Sequence, residues 1–213
     1  MKLSDIEVLT HSSIRIRTVQ GVVYFDPYQI KGSPHDGDFI LITHDHFDHF
    51  SPEDIQKVSK SGTLLLVPKN MAAKAGNVAK YVGETKAVEA GEVLELEELR
   101  VEVVAAYNNN KSFHPKSAGW VGYILETEAR RIYVAGDTDV TRDNLSIHCD
   151  IALVPIGGTY TMNAFEAAEL VNSIRPEIAI PTHYGSVAGK KGDAEVFQRE
   201  VKAPVKVEIM MQY

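Results

Sequence analysis

The segment Thr43–Phe50 reads THDHFDHF and places His44, His46, Asp48 and His49 within six positions. Three of the eight histidines in the chain fall here. Imidazole and carboxylate groups are costly to bury unless something compensates them, and a divalent cation does so. In an extended segment, residues two apart point to the same side, so His44 and His46 can face one ion. Asp48 and His49 follow where the chain turns toward Ser51, which gives a second direction of ligation. Nitrogen and carboxylate oxygen together suit zinc, iron or manganese. Four such groups in six residues, with more downstream, indicate two ions close together. The plain alternative is a solvated polar loop, and the flanking sequence argues against it.

Those flanks are a strand and a helix start. FILIT at Phe39–Thr43 is a short apolar run suited to a strand buried on both faces. SPEDIQKVSK begins with Ser51 as N-cap and Pro52 at the first helical position, with acids in the first turn. Upstream, IEVLT, SIRIRTV and VVYFDP read as strands, the last two joined at Gly21 as a hairpin. Downstream, the strand TLLLVP precedes a short helix around Asn70–Ala75. VEVVAAY, the hairpin WVGYILE and RRIYVAG, and the buried strand IALVPI follow. Helix NAFEAAELVNSI is capped by Asn163 with Glu166 three residues later. EIAIPTH, the helix DAEVFQREV and the strand VKVEIM close the pattern. Met210, Met211 and Tyr213 at the end are apolar enough to cover a sheet edge or meet a partner. Strands dominate first, then strands and helices alternate, which predicts an α/β (α+β) fold with two sheets face to face and helices outside. His44, Asp137, the Gly157–Gly158 turn and His183 each follow an apolar strand directly. Strand ends gathered at one sheet edge are where sites form in such folds.

Bulk composition narrows the function. The 213 residues carry a formal charge of -7, with 44% hydrophobic and 24% charged residues. One domain spanning 1–213 is expected. The acidic balance argues against a nucleic-acid partner. Cys149 is the single cysteine, so metal ligands must be histidine and carboxylate, and a reducing compartment fits. The opening MKLSDIEVLTH lacks an apolar run of signal-peptide length, and no run approaches the roughly 18 residues of a spanning helix. A cytoplasmic location is therefore expected.

Three motifs in order, HxHxDH at His44–His49, GDTD at Gly136–Asp139 and TH at Thr182–His183, resemble those of the metallo-β-lactamase superfamily. HSS at His11–Ser13, GGTYTM at Gly157–Met162 and PTHYG at Pro181–Gly185 are similar to a narrower branch. That branch holds the L-ascorbate-6-phosphate lactonase-like hydrolases and N-acylphosphatidylethanolamine phospholipase D. The resemblance implies a four-layer αββα sandwich and two divalent ions, zinc first, with manganese or iron as alternatives. It implies that His44 and His46 bind the first metal, that Asp48, His49 and His183 bind the second, and that Asp137 bridges them. Many relatives place a further histidine soon after the strand corresponding to VEVVAAY. Here the segment reads AAYNNNKSFHPKSAGW, and His114 is its only histidine. His114 is taken as the third ligand of the first metal, with a substrate-contacting or acid role as the alternative.

The implied reaction is metal-assisted hydrolysis of a phosphate ester, phosphodiester or lactone by a metal-bound hydroxide. Asp48 would orient the nucleophile or carry its proton. Asp45, pointing away from its histidine neighbours, would support them from outside. Lys111 and Lys116 flank His114 and suit a phosphate or carboxylate, so a small and possibly anionic substrate is expected. His11 would line the cleft or bond to Asp26, and Tyr160 or Thr161 would contact substrate. Trp120 reads as core and Cys149 as packing. Two other classes stay open: a di-iron redox enzyme, and a metal-binding module without catalysis.

Overall fold

The computed structural model describes residues 1–96 and 99–211. Six strands form the first sheet, in sequential order: β1 (Ile6–Thr10), β2 (Ser13–Thr18), β3 (Gly21–Phe25), β4 (Gly37–Leu41), β5 (Ser59–Pro68) and β6 (Glu84–Val88). β1–β2–β3 pair antiparallel, and β3 through β6 run parallel. Helix α1 (Pro52–Val58) crosses from β4 to β5, and α2 (Ala72–Ala75) lies between β5 and β6.

The second sheet repeats this plan. β7 (Val93–Leu96), β8 (Leu99–Ala105), β9 (Val121–Thr127) and β10 (Arg130–Val134) pair antiparallel. β11 (Ile151–Pro155), β12 (Ile178–Thr182) and β13 (Lys206–Val207) continue from β10 in parallel. Helices α3 (Ala164–Ile174) and α4 (Asp193–Glu200) make the two crossovers.

Alternation in the strands decides the layers. Ile6, Val8, Ile14, Ile16, Leu41 and Leu66 from the first sheet meet Val101, Val103, Tyr123, Leu125, Ile132 and Leu153 from the second in one buried cluster. The residues between them in β4 and β11 face outward. Ile40 and Leu65 join Ile55 and Val58 of α1, while Ala152 and Val154 join Leu170 and Val171 of α3. Both sheets are therefore covered on two faces, which is why β4, β11 and β12 read as unbroken apolar runs. The architecture is the αββα sandwich expected from the sequence.

The helix starts follow their caps. Ser51 Oγ accepts from the Asp54 N–H at 3.3 Å. Asn163 Oδ1 accepts from the N–H groups of Phe165 and Glu166, and the Glu166 carboxylate accepts from the Asn163 N–H at 2.8 Å. Two ends differ from expectation. β5 begins at Ser59 rather than Thr63, because Ser59 pairs with Gly37 and takes over the last helical residues. The final strand shrinks to Lys206–Val207, and Met210 and Met211 pack on the inter-sheet core instead. Tyr213 lies outside the described residues. Among the described residues, no helix is long and apolar enough to cross a membrane.

Candidate metal centre

Strand direction brings the polar residues together. β1, β3 and β4 of the first sheet point the same way, as do β8, β10, β11 and β12 of the second. Their C-terminal ends deliver His11, Asp26, His44, Asn108, Asp137, Gly157 and His183 to the cluster. Three of these turn the chain with a left-handed backbone: His11 at φ 47°, Asp26 at φ 44° and His183 at φ 56°. That conformation is disfavoured for side-chain-bearing residues and costs of order 1–3 kcal/mol. The His183 N–H donates to the His11 carbonyl at 2.9 Å, tying the two turns across the sheets.

Three groups of ligand-type atoms result, one of them Asp26 with His44 and His49, which hold each other through their outer nitrogens and Thr43. His44, His46 and His114 form the first, and His11, Asp48, His49 and His183 the second; within each, the ligand atoms lie within 4.8 Å of one another. Asp137 stands between these two. Its Oδ2 is 3.2 Å from His114 Nε2 and 3.1 Å from His183 Nε2, and its Oδ1 is 3.4 Å from His49 Nε2. Of the residues singled out in the sequence as metal-type groups, all seven are thus brought together.

The outer nitrogens of three histidines are fixed by acceptors. His49 Nδ1–H donates to Asp26 Oδ2 at 2.7 Å. Thr43 Oγ1 donates to the same carboxylate at 2.6 Å, which leaves it to accept from His44 Nδ1–H at 2.9 Å. His114 Nδ1–H is 3.1 Å from Asn108 Oδ1 and 3.2 Å from the Tyr160 carbonyl. For His44 and His114 the tautomer leaves a lone pair on Nε2, while against its own burial Asp137 and Asp26 raise His49 above the ordinary imidazole range. Those Nε2 atoms and Asp137 Oδ1 are buried without a hydrogen-bond partner. Converging bare nitrogens with fixed backs are what a cation of the zinc type requires, so the donor set fits one.

The electrostatics of the protein alone point the same way. Burial, reinforced by the neighbouring histidines, pushes His44 well below the usual imidazole range. Burial and His114 also lower His46. Both are therefore neutral and able to ligate at neutral pH. Burial opposes charge on His183 as well, but the Asp137 and Asp48 carboxylates outweigh it and raise the group to about 10. Asp137 is held well below the carboxylate range by His183, His49 and His114, against the effect of its own burial.

His11 stands beside Asp48. Its Nε2 bonds Asp48 Oδ2 at 3.1 Å, not Asp26, and its Nδ1 accepts from Ser186 Oγ at 3.2 Å. Burial pushes it down to about 4. It also lines a cavity of about 560 Å³ with Leu9, Arg15, Tyr24, Ile30 and Ser186. Asp45 faces outward and pairs with Lys74 at 3.4 Å rather than supporting a histidine. Lys111 pairs with Asp139, and Lys116 with Asp143 at 2.9 Å. Tyr160 turns its carbonyl to His114 and its ring to Phe113, 4.8 Å between centroids. Trp120, read as core, packs its ring 4.9–5.4 Å from His44, His46 and His114. Cys149 is only partly exposed, and burial pushes its thiol up to about 12.

Two glycines make room for the cluster. A Cβ on Gly157 would collide with the His183 carbonyl and lie 3.0 Å from His183 Nδ1. A Cβ on Gly136 would come within 2.8 Å of the Val121 carbonyl and 3.1 Å of Thr43 Cβ, beside the metal-type cluster.

A two-sheet αββα fold with this histidine and carboxylate cluster at one edge defines a metallo-β-lactamase-type protein, and residues 5–183 match the family described as beta-lactamase superfamily domain. Whole-chain likeness is narrower. The UPF0173 metal-dependent hydrolase of Methanopyrus kandleri is 32% identical over 211 residues, covering 91% of this chain and 90% of the relative. That of Thermoplasma acidophilum is 38% identical over 167 residues, covering 76% and 71%. A solved structure from Parabacteroides distasonis, assigned as a metal-dependent hydrolase, is 29% identical with a TM-score of 0.84, covering 97% and 93%. The chain belongs to the UPF0173 metal-dependent hydrolase family of the metallo-β-lactamase superfamily.

Proposed function

We propose that the chain hydrolyses a small ester, either a lactone or a phosphate ester, at a binuclear centre. His44, His46 and His114 would hold one ion; Asp48, His49 and His183 would hold the other, and Asp137 would lie between. The observation that carries this reading is the set of buried Nε2 atoms of His44, His49 and His114 that make no hydrogen bond and lie within 3.8 Å of the Asp137 carboxylate. The HSS, GGTYTM and PTHYG segments support kinship with the lactonase-like and phospholipase D-like branch.

Divalent ions at such a site act as Lewis acids and lower the pKa of water toward neutrality. The chain supplies orientation. Asp26 and Thr43 aim His49 and His44, while Asn108 and the Tyr160 carbonyl aim His114. Asp48 is held below the carboxylate range: burial opposes this, but the hydrogen bond from His11 and the His183 ring 3.7 Å away outweigh it. It is therefore ionised at neutral pH and able to orient a water by accepting its hydrogen bond, a role for which a carboxylate held this low is better suited than for proton abstraction. His11, bonded to Asp48, acts as a positioning residue for it.

The direct test is turnover of a lactone and a phosphodiester panel by protein loaded with zinc or manganese. Turnover that disappears on chelation and returns on reloading supports the reading. Silence across the panel with every metal favours a binding module.

A further inference from the structure

We infer that the part of the substrate that does not react is apolar, an alkyl or aryl group gripped by two aromatic pairs at the mouth of the centre. The inference rests on the hydrolase reading and adds a substrate class to it: esters or lactones carrying a hydrophobic substituent. His46 is the least buried of the ligand-type histidines, so the open side of the cluster lies there. Its chain neighbour Phe47 is 66% exposed, wedged in sequence between His46 and Asp48. Phe113, 44% exposed, directly precedes His114. The His46 and His114 rings are 4.9 Å apart, and consecutive residues lie about 3.8 Å apart along a chain. Both phenylalanines are thus rooted within a small molecule's length of the same spot.

Each phenylalanine is backed by a tyrosine. Phe47 meets Tyr28 edge-on at 6.0 Å, and Phe113 meets Tyr160 at 4.8 Å. Isolated exposed apolar residues are ordinary, but paired rings flanking a polar centre are the composition of a ligand pocket. The charged alternative is weakened on the same loops. Lys111 and Lys116, which could otherwise receive an anionic group, are held by Asp139 and Asp143.

The test uses zinc-loaded full chain and two metal-chelating probes, acetohydroxamate and octanohydroxamate. Trp120 is the single tryptophan and touches three of the ligand-type histidines, so its fluorescence reports binding. Octanohydroxamate should bind about tenfold or more tightly than acetohydroxamate, since each added methylene leaves water. In the double variant Phe47→Ser, Phe113→Ser that ratio should fall to about threefold or less. Val19→Ser, an exposed apolar position at the opposite end of the sheet, should keep the wild-type ratio. Equal affinity for the two probes in the wild type, or a ratio unchanged in the double variant, overturns the inference and leaves the hydrolase reading standing. Failure of both probes to bind overturns the metal-centre reading and the inference with it.

Discussion

Asp137 Oδ2 lies 3.1 Å from His183 Nε2, and both side chains are buried. Without a cation between them they form an ion pair, and His183 keeps its proton up to about pH 10. A raised pKa stabilises the fold below the ordinary 6.5 and loses that contribution as pH rises through about 10. Ligation needs the neutral ring, so metal must displace this proton. Calorimetry at pH 7.5 in buffers of different ionisation heat should show release of at least one proton per chain, because His49 is raised along with His183. Apparent affinity should rise with pH toward 10. No proton release would show that His183 is not a ligand.

Asn108 is the outer support of His114, through 3.1 Å bonds to its N–H and its Nδ1. Asn108→Ala should weaken binding at the first group by about 10–100-fold, the usual effect of removing such a support. His49 and His183 do not touch Asn108, so the second group should hold its ion. A competitive chelator titration resolving two affinities checks this.

Gly157→Ala should push the His183 turn outward, because the new methyl meets the His183 carbonyl and Nδ1. The expected result is lost metal at the second group with a smaller loss of thermal stability. A fall in melting temperature without any change in metal affinity would contradict the packing account.

Asp54 ties α1 to the turn after β3. It accepts from the N–H groups of Gln29 and Ile30 at 2.9 Å, from Ser51 Oγ at 2.7 Å and from Lys57 at 3.0 Å. Burial would raise its pKa, but these bonds outweigh it and hold the group below 3.8. Its stabilisation is complete above that value and fades as pH falls through it. Urea melts between about pH 5 and pH 3 should therefore show a steeper loss for wild type than for Asp54→Asn.

Much of the centre was legible because it is local. HxHxDH packs four groups into one turn between an apolar strand and a capped helix, and spacing alone brings them together. Asp137 and His183 were legible because each ends an apolar strand. The supports were not. Asp26 reaches His49 across 23 positions and His11 reaches Asp48 across 37, so although the HSS segment marked His11, neither partner could be read from spacing. The asparagines before His114 read as a departure from pattern, yet Asn108 is what aims that histidine. Trp120 was masked by its apolar character, since an indole in a strand reads equally well as core. Lys111 and Lys116 read as anion holders because the pairing acids, Asp139 and Asp143, lie in a different loop.

Under the proposed function two ions share Asp137, and His114 completes the first. Elemental analysis of metal per chain, on the wild type and on His114→Ala, tests it most directly. About two ions should fall to about one, with Asp48, His49 and His183 retaining theirs. One ion or none in the wild type, unchanged by the substitution, would contradict it.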